Sequence, residues 1–198
     1  MCSPREDANH HALRRALACF QPHDARDEQI RDAMLALAEQ LADPFDRHAY
    51  PAHFTASGLV ISPCRRFVCL GFHRKLGAWL QFGGHGDEGE KDPFEVALRE
   101  THEESGLTEL VPHPQPPVPL DLDIHLIPPH GDVPAHYHYD VRYLFIASAN
   151  QVPLGRREEH REVRWFALSD LTALHLDESL RRSISRASLS TSARVKTG

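Results

Sequence analysis

The stretch Gly83–Leu107, GGHGDEGEKDPFEVALRETHEESGL, decides how the rest of the chain is read. Asp92-Pro93 opens a helix, because aspartate suits the N-cap and proline suits the first helical position. Gly106 closes it by adopting the left-handed conformation that most residues avoid. Between them Glu100, Glu103 and Glu104 stand at i, i+3 and i+4, so their carboxylates share one helical face. Like charges crowded in this way repel, and a hard divalent cation is the natural means of neutralising them. Phe94, Val96 and Ala97 give the same helix an apolar side that can dock on a sheet.

Arg99-Glu100-Thr101-His102-Glu103-Glu104-Ser105-Gly106, with the pair Gly83-Gly84 upstream, resembles the Nudix box of the Nudix hydrolases. The resemblance implies an α/β fold of the Nudix type, an α/β/α sandwich around a mixed β-sheet. It also implies hydrolysis of the pyrophosphate in nucleoside diphosphates linked to another group, with Mg²⁺ or Mn²⁺ as cofactor. By the same resemblance, Glu100, Glu103 and Glu104 with the Gly84 carbonyl would be the metal ligands. Glu100 and Glu103 would be catalytic through that metal, and Arg99 would brace the site through Glu90 or a neighbouring carboxylate. Two features depart from the usual pattern. Eight residues rather than one fewer separate Glu90 from Arg99, and Thr101 replaces the usual aliphatic residue.

Composition suits one enzyme domain. The chain has 198 residues, 41% hydrophobic and 25% charged, which is enough to bury a core. A formal net charge of −6 leaves no basic field for nucleic acid, whereas a small phosphate-bearing molecule can be met by a local cation. The four cysteines form no Cys-x-x-Cys pair and imply no disulfide framework. The N-terminal residues lack an apolar signal region and no run approaches membrane-spanning length, so a cytoplasmic location is the expectation.

Residues 1 to about 7 are expected to be unstructured, followed by helices over His11–Phe20 and Gln29–Leu41. This helical extension, residues 1–50, reads as a scaffold packed beside the sheet or at the seam of a homodimer. The catalytic domain is expected over 51–187, with strands at His53–Ser62 and Arg66–Leu70. A third strand, Leu76–Phe82, enters the glycine pair. His85 in the glycine turn and Arg74 in the basic turn Phe72-His73-Arg74-Lys75 are candidates for substrate contact. Val111–Pro119 reads as an extended linker.

Two alternating segments follow. In Leu120–Ile127 the polar row is Asp121, Asp123 and His125; in His136–Phe145 it is His136, His138, Asp140 and Arg142. Joined as a hairpin, both rows share one face, which is either solvent-exposed or the lining of a substrate cleft. The segment resembles a Nudix subgroup carrying His-x-His-Tyr-Asp after the box. Imidazole and guanidinium suit phosphate and ribose, which favours the cleft and makes His125, His136, His138, Asp140 and Arg142 substrate-binding candidates. A zinc site built from His136, His138 and His125 is the sharper alternative. Arg161–Leu168 forms the last strand and resembles the end of a Nudix core. In that family a glutamate from this region completes the metal site or acts as base, and Glu158, Glu159 and Glu162 are the candidates. Asp177–Arg186 is a final helix, and 188–198 is expected to be a disordered tail.

Overall fold

The computed structural model describes residues 4–155 and 159–189, with the backbone alone for residues 4–10. The expectations for Met1–Ser3, for Glu158 and for residues 190–198 fall outside the described residues.

Helices α1 (Pro4–Cys19) and α2 (Ala25–Gln40) precede strands β1 (Ala52–Ile61), β2 (Phe67–His73), β3 (Ala78–Leu80) and β4 (Phe82–Gly84). Helix α3 (Pro93–Ser105) follows, then β5 (Val111–His113), β6 (Asp121–Ile127), β7 (His136–Ile146) and β8 (His160–Ala167). A 3-10 turn, Leu168–Ala173, leads to α4 (Glu178–Leu189). The first helix begins earlier than the sequence suggests. Pro4 fits a first turn. The last helix likewise runs on to Leu189, into residues expected to be a disordered tail.

The eight strands form one mixed sheet. Strand β1 is its centre: it pairs in parallel with β7 from Ala52↔Tyr137 to Ile61↔Ile146 and antiparallel with β2 and β4. Strands β3 and β8 pair with β2, and β6 pairs with β7. The Val111–Pro119 linker is corrected in part, because Val111–His113 pairs with Leu144–Ile146 and occupies the β7 edge beyond the end of β6. Pro112 is tolerated there because the strand lies at an edge.

Period-two alternation along β1 sends its side chains to opposite faces. On one face Phe54, Ala56 and Val60 join Val141, Tyr143 and Phe145 beneath Val96 and Ala97 of α3. Leu13, Leu17, Met34 and Ala38 extend the same core, so α1 and α2 pack beside the sheet. On the other face Leu59, Ile61, Leu70 and Phe166 meet Leu180, Ile184 and Ala187 of α4. The result is an α/β/α sandwich around a mixed sheet. Among the described residues no helix is long and apolar enough to cross a membrane.

Thr101 shows how closely α3 sits on the sheet. Its side chain is buried, its Oγ1 donates to the Ala97 carbonyl at 2.6 Å, and it lies directly over Gly58 of β1. The helix can approach only because Gly58 has no Cβ.

Candidate active site

Helix α3 is held at both ends. The Asp92 carboxylate accepts from the Phe94 amide at 2.9 Å, and Gly106 closes the helix at φ 70°. Its acidic face is turned toward β4. The Glu104 carboxylate accepts from the Gly83 amide at 2.8 Å, and a Cβ on Gly84 would stand 3.0 Å from Glu100 Oε1. The glycine pair therefore brings bare backbone against the carboxylates.

Arg99 fixes the turn ahead of the helix. It donates to both oxygens of Glu90, at 2.9 and 2.8 Å, and to the His85 carbonyl at 3.0 Å. The extra loop residue does not disturb this bidentate pair, whose fork geometry suits a carboxylate. Arg99 also reaches Glu100 Oε1 at 2.9 Å and Glu103 Oε2 at 3.4 Å. It braces the loop and offsets carboxylate charge.

The last-strand candidates separate. Glu159 joins the cluster, forming a side-chain hydrogen bond with Glu104 and facing Glu100. Glu162 does not: it is exposed, 3.3 Å from Arg164, on a side chain pointing elsewhere. Glu159 lies just before the strand, in the loop beside the turn after β2, whereas Glu162 lies within the strand opposite Phe72. Burial pushes Glu104 up to about 10, helped by the hydrogen bond with Glu159 and the nearby Glu100 charge. Burial raises Glu100 as well, with Glu159 and Glu103 adding repulsion.

These residues fit a divalent cation of the Mg²⁺ or Mn²⁺ type. Hard carboxylate oxygens converge beside backbone that lacks a side chain, and their mutual repulsion is what such an ion relieves. His160 was not singled out in the sequence. Its ring is buried, neither nitrogen has a hydrogen-bond partner among the described residues, and Nε2 lies 3.4 Å from Glu104 Oε2. Only its position at the start of the final strand could have drawn attention to it.

Arg74 lies in the exposed turn after β2, where its amide donates to the Glu159 carbonyl at 2.9 Å. The turn therefore sits beside the Glu159 loop.

The two polar rows of the hairpin do share a face, since Asp121 pairs with Arg142, Asp123 with Asp140 and His125 with His138. Half of that face is neither solvent-exposed nor a cleft. Asp140 and Arg142 are 3% and 2% exposed and lie beneath α4, which corrects their assignment to substrate. Asp140 accepts from Ser57 at 2.6 Å and Thr55 at 3.2 Å, while Arg142 donates to Ser183 at 2.5 Å and Ser179 at 3.1 Å. Arg182 bonds both Asp121 and Asp123, and Arg186 joins Asp121 to Asp27 of α2. The signal was the polar stripe Ser179, Arg182, Ser183 and Arg186 at helical spacing, which matches the aspartates opposite.

The other half of the face gathers histidines. His53 of β1, buried, pairs in register with His138, and its ring stacks on His136 at 5.0 Å between centroids. His85 reaches across from the glycine turn, with Nε2 3.1 Å from His53 Nε2. His136 Nε2 lies 3.2 Å from His138 Nε2. Burial, with Arg47 and neighbouring imidazoles, pushes His85 down to about 3; burial, with His85, His53, His125 and His136, pushes His138 down to about 2. His125 packs edge-on against His138 at 5.5 Å but is exposed and turned to Asp123 at 3.3 Å, so His53 takes the place expected for it in the cluster. Among the described residues, a cavity lined by Gln21, His113, Pro114, Leu120 and Arg186 lies away from both sites.

The NUDIX domain family model matches residues 53–187. No curated protein matches the chain. The *E. coli* dihydroneopterin triphosphate pyrophosphohydrolase is similar in fold, with TM-score 0.50, 18% identity, and coverage of 67% of this chain and 92% of that one. A NUDIX-family hydrolase from Clostridium perfringens has TM-score 0.47 and 22% identity over 68% of this chain and 95% of its own. The NUDIX domain of Shewanella oneidensis NrtR, in complex with ADP ribose, has TM-score 0.49 and 18% identity over 76% of this chain and 95% of its own. With residues 53–187 matched and the box carboxylates gathered at the glycine pair, the chain belongs to the NUDIX domain family and is a hydrolase of the Nudix type.

Proposed function

We propose that this hydrolase cleaves the phosphoanhydride of a nucleoside diphosphate linked to a second group, with nucleoside diphosphate sugars and ADP-ribose as the preferred class. The observation that carries the reading is the convergence of Glu100, Glu103, Glu104 and Glu159 beside Gly83-Gly84. Glu100, Glu103, Glu104 and the Gly84 carbonyl would hold Mg²⁺ or Mn²⁺, which when bound offsets charge on the diphosphate and acidifies the attacking water. Glu159 is the base: hydrogen-bonded to Glu104, it accepts the proton from that water. Arg99 holds the glycine turn in place, so the carboxylates meet the diphosphate in one geometry. Arg74, in the turn beside the Glu159 loop, supplies positive charge for the outer phosphate.

Preference for a conjugate over a bare triphosphate is supported by His85. This residue directly follows the metal-binding glycine, and its ring lies 4.8 Å from that of His138. A group attached beyond the diphosphate therefore meets the hairpin histidines. The test is phosphate release, coupled to a phosphatase, from ADP-ribose, nucleoside diphosphate sugars, dinucleoside polyphosphates and nucleoside triphosphates, each with Mg²⁺ and with Mn²⁺. Turnover concentrated on the conjugates supports the reading. Turnover on triphosphates alone replaces it with a triphosphate pyrophosphatase, and binding without turnover on any substrate makes the chain a nucleotide-binding module.

A further inference from the structure

We infer that His53, His136 and His138 form a second metal site, separate from the box carboxylates, for a borderline transition ion of which Zn²⁺ is the fitting member. One nitrogen from each ring lies within 4.8 Å of the others, so the three can close on a single ion with small side-chain rotations. Zinc–imidazole bonds of about 2.0–2.1 Å place tetrahedral ligand nitrogens roughly 3.3–3.4 Å apart. His136 Nε2 and His138 Nε2 are already 3.2 Å apart, and His85 Nε2 approaches His53 Nε2 to 3.1 Å at the rim of the cluster.

The tautomers are also set for ligation. His53 Nδ1 lies 3.1 Å from the Ala49 carbonyl and His136 Nδ1 lies 2.9 Å from the Pro134 carbonyl. A carbonyl can only accept, so both Nδ1 atoms carry the proton and both Nε2 lone pairs point into the cluster. A backbone carbonyl behind the far nitrogen is the usual support of a metal-bound histidine. Without an ion, His138 and His85 donate Nε2–H to these lone pairs. On binding, the His138 proton moves to Nδ1 through solvent and that ring ligates neutral, while His85, whose Nδ1 accepts from Arg47 at 3.4 Å, keeps its Nε2–H.

The ligands also sit on rigid elements. His53 lies on the central strand, with His138 beside it in register on β7 and His136 two residues earlier. An all-imidazole donor set selects zinc, nickel, copper or cobalt over magnesium, whereas the oxygen donors of the box select the reverse. One chain thus separates two kinds of ion by donor chemistry.

The experiment uses the full chain, stripped with chelator and titrated with Zn²⁺ against a chromophoric competitor. Wild type and Glu103→Gln should each bind one ion tightly, while His136→Gln and His138→Gln should bind at least about 10-fold more weakly. Circular dichroism identifies any variant that fails to fold. Co²⁺ added to Glu103→Gln provides a reading that needs no histidine variant: intense visible bands of a nitrogen-rich tetrahedral site are expected. Weak octahedral bands alone, equal Zn²⁺ affinity in wild type and both histidine variants, or Zn²⁺ binding lost in Glu103→Gln would each overturn the inference.

Discussion

Replacing Gly58 with alanine puts the largest mechanical demand on the active site for the smallest chemical change. A Cβ there would stand 2.6 and 2.8 Å from two ring carbons of Phe145 and closer still to Thr101 Oγ1. Neither neighbour retreats easily. Phe145 is fully buried, and Thr101 is held by its bond to the Ala97 carbonyl. Overpacking of a tight core costs about 1–3 kcal/mol, and overlap with two immobile groups places this case near the upper figure. For a domain of this length each kcal/mol lowers the melting temperature by about 2–4 °C, so a loss of about 6–12 °C is expected. Relief comes from lifting α3, which carries Glu100, Glu103 and Glu104. A shift of about 1 Å at a catalytic group costs on the order of 100-fold in rate, so turnover should fall far more than stability. Differential scanning calorimetry and coupled phosphate release measure the two effects. Adding Thr101→Ala to the variant removes the hydroxyl and should restore part of both. A Gly58→Ala protein that melts within about 1 °C of wild type and keeps its turnover would refute the account of helix placement.

Glu103→Gln should abolish most turnover while leaving the melt nearly unchanged, and kinetics of wild-type quality in that variant would remove its assigned metal role. Arg186→Met removes the cation shared by Asp27 and Asp121, both fully buried, while Arg26 and Arg182 stay beside them, and should cost about 1.5–3 kcal/mol by chemical denaturation. For Asp27, burial opposes the charge, but Arg186, the His23 amide and Arg26 overcome it and lower its pKa. Asp123 is likewise held low against burial by His125, Arg142 and Arg182. Stability from these depressed carboxylates is present above the unfolded value of about 3.9 and is lost as pH falls through the folded values. Acid unfolding should therefore begin below about pH 4 in wild type, and Arg186→Met should weaken that dependence. The exposed Cys64 thiol is lowered to about 7 by hydrogen bonds from Ser62 and Arg66, so iodoacetamide at pH 7 should label it before Cys19 or the buried Cys69. Ser62→Ala should slow that reaction.

What was readable in the sequence was mostly local. Asp92-Pro93 and Gly106 marked the ends of α3 because capping chemistry depends on a few adjacent residues. The three glutamates marked its working face through helical spacing alone. The alternation in β6 and β7 also fixed which side chains share a surface. It did not tell what lies against that surface. Arg142 looked like a ligand contact because its partners, Ser183 and Ser179, come later, in a helix whose docking face pattern alone does not assign, and the Asp140 partners, Ser57 and Thr55, lie on a strand far earlier in the chain. The same limit applied to the imidazoles. His53 is separated from His136 by most of the domain, and only the parallel pairing of β1 with β7 makes them neighbours. Glu159 and Glu162 differ by three residues, and the start of the strand at His160 falls between them.

The charged seam under α4 constrains how the chain is made. Asp121 and Asp123 are synthesised well before Arg182 and Arg186, the residues that neutralise them. Until α4 has been made, the sheet can pair its strands but must leave that face open to water. Closing it early would bury unmatched charge at a cost of several kcal/mol per ion. The nascent protein therefore waits for α4. A stop codon just before α4 would leave the whole box encoded and still yield a chain that cannot seal its core.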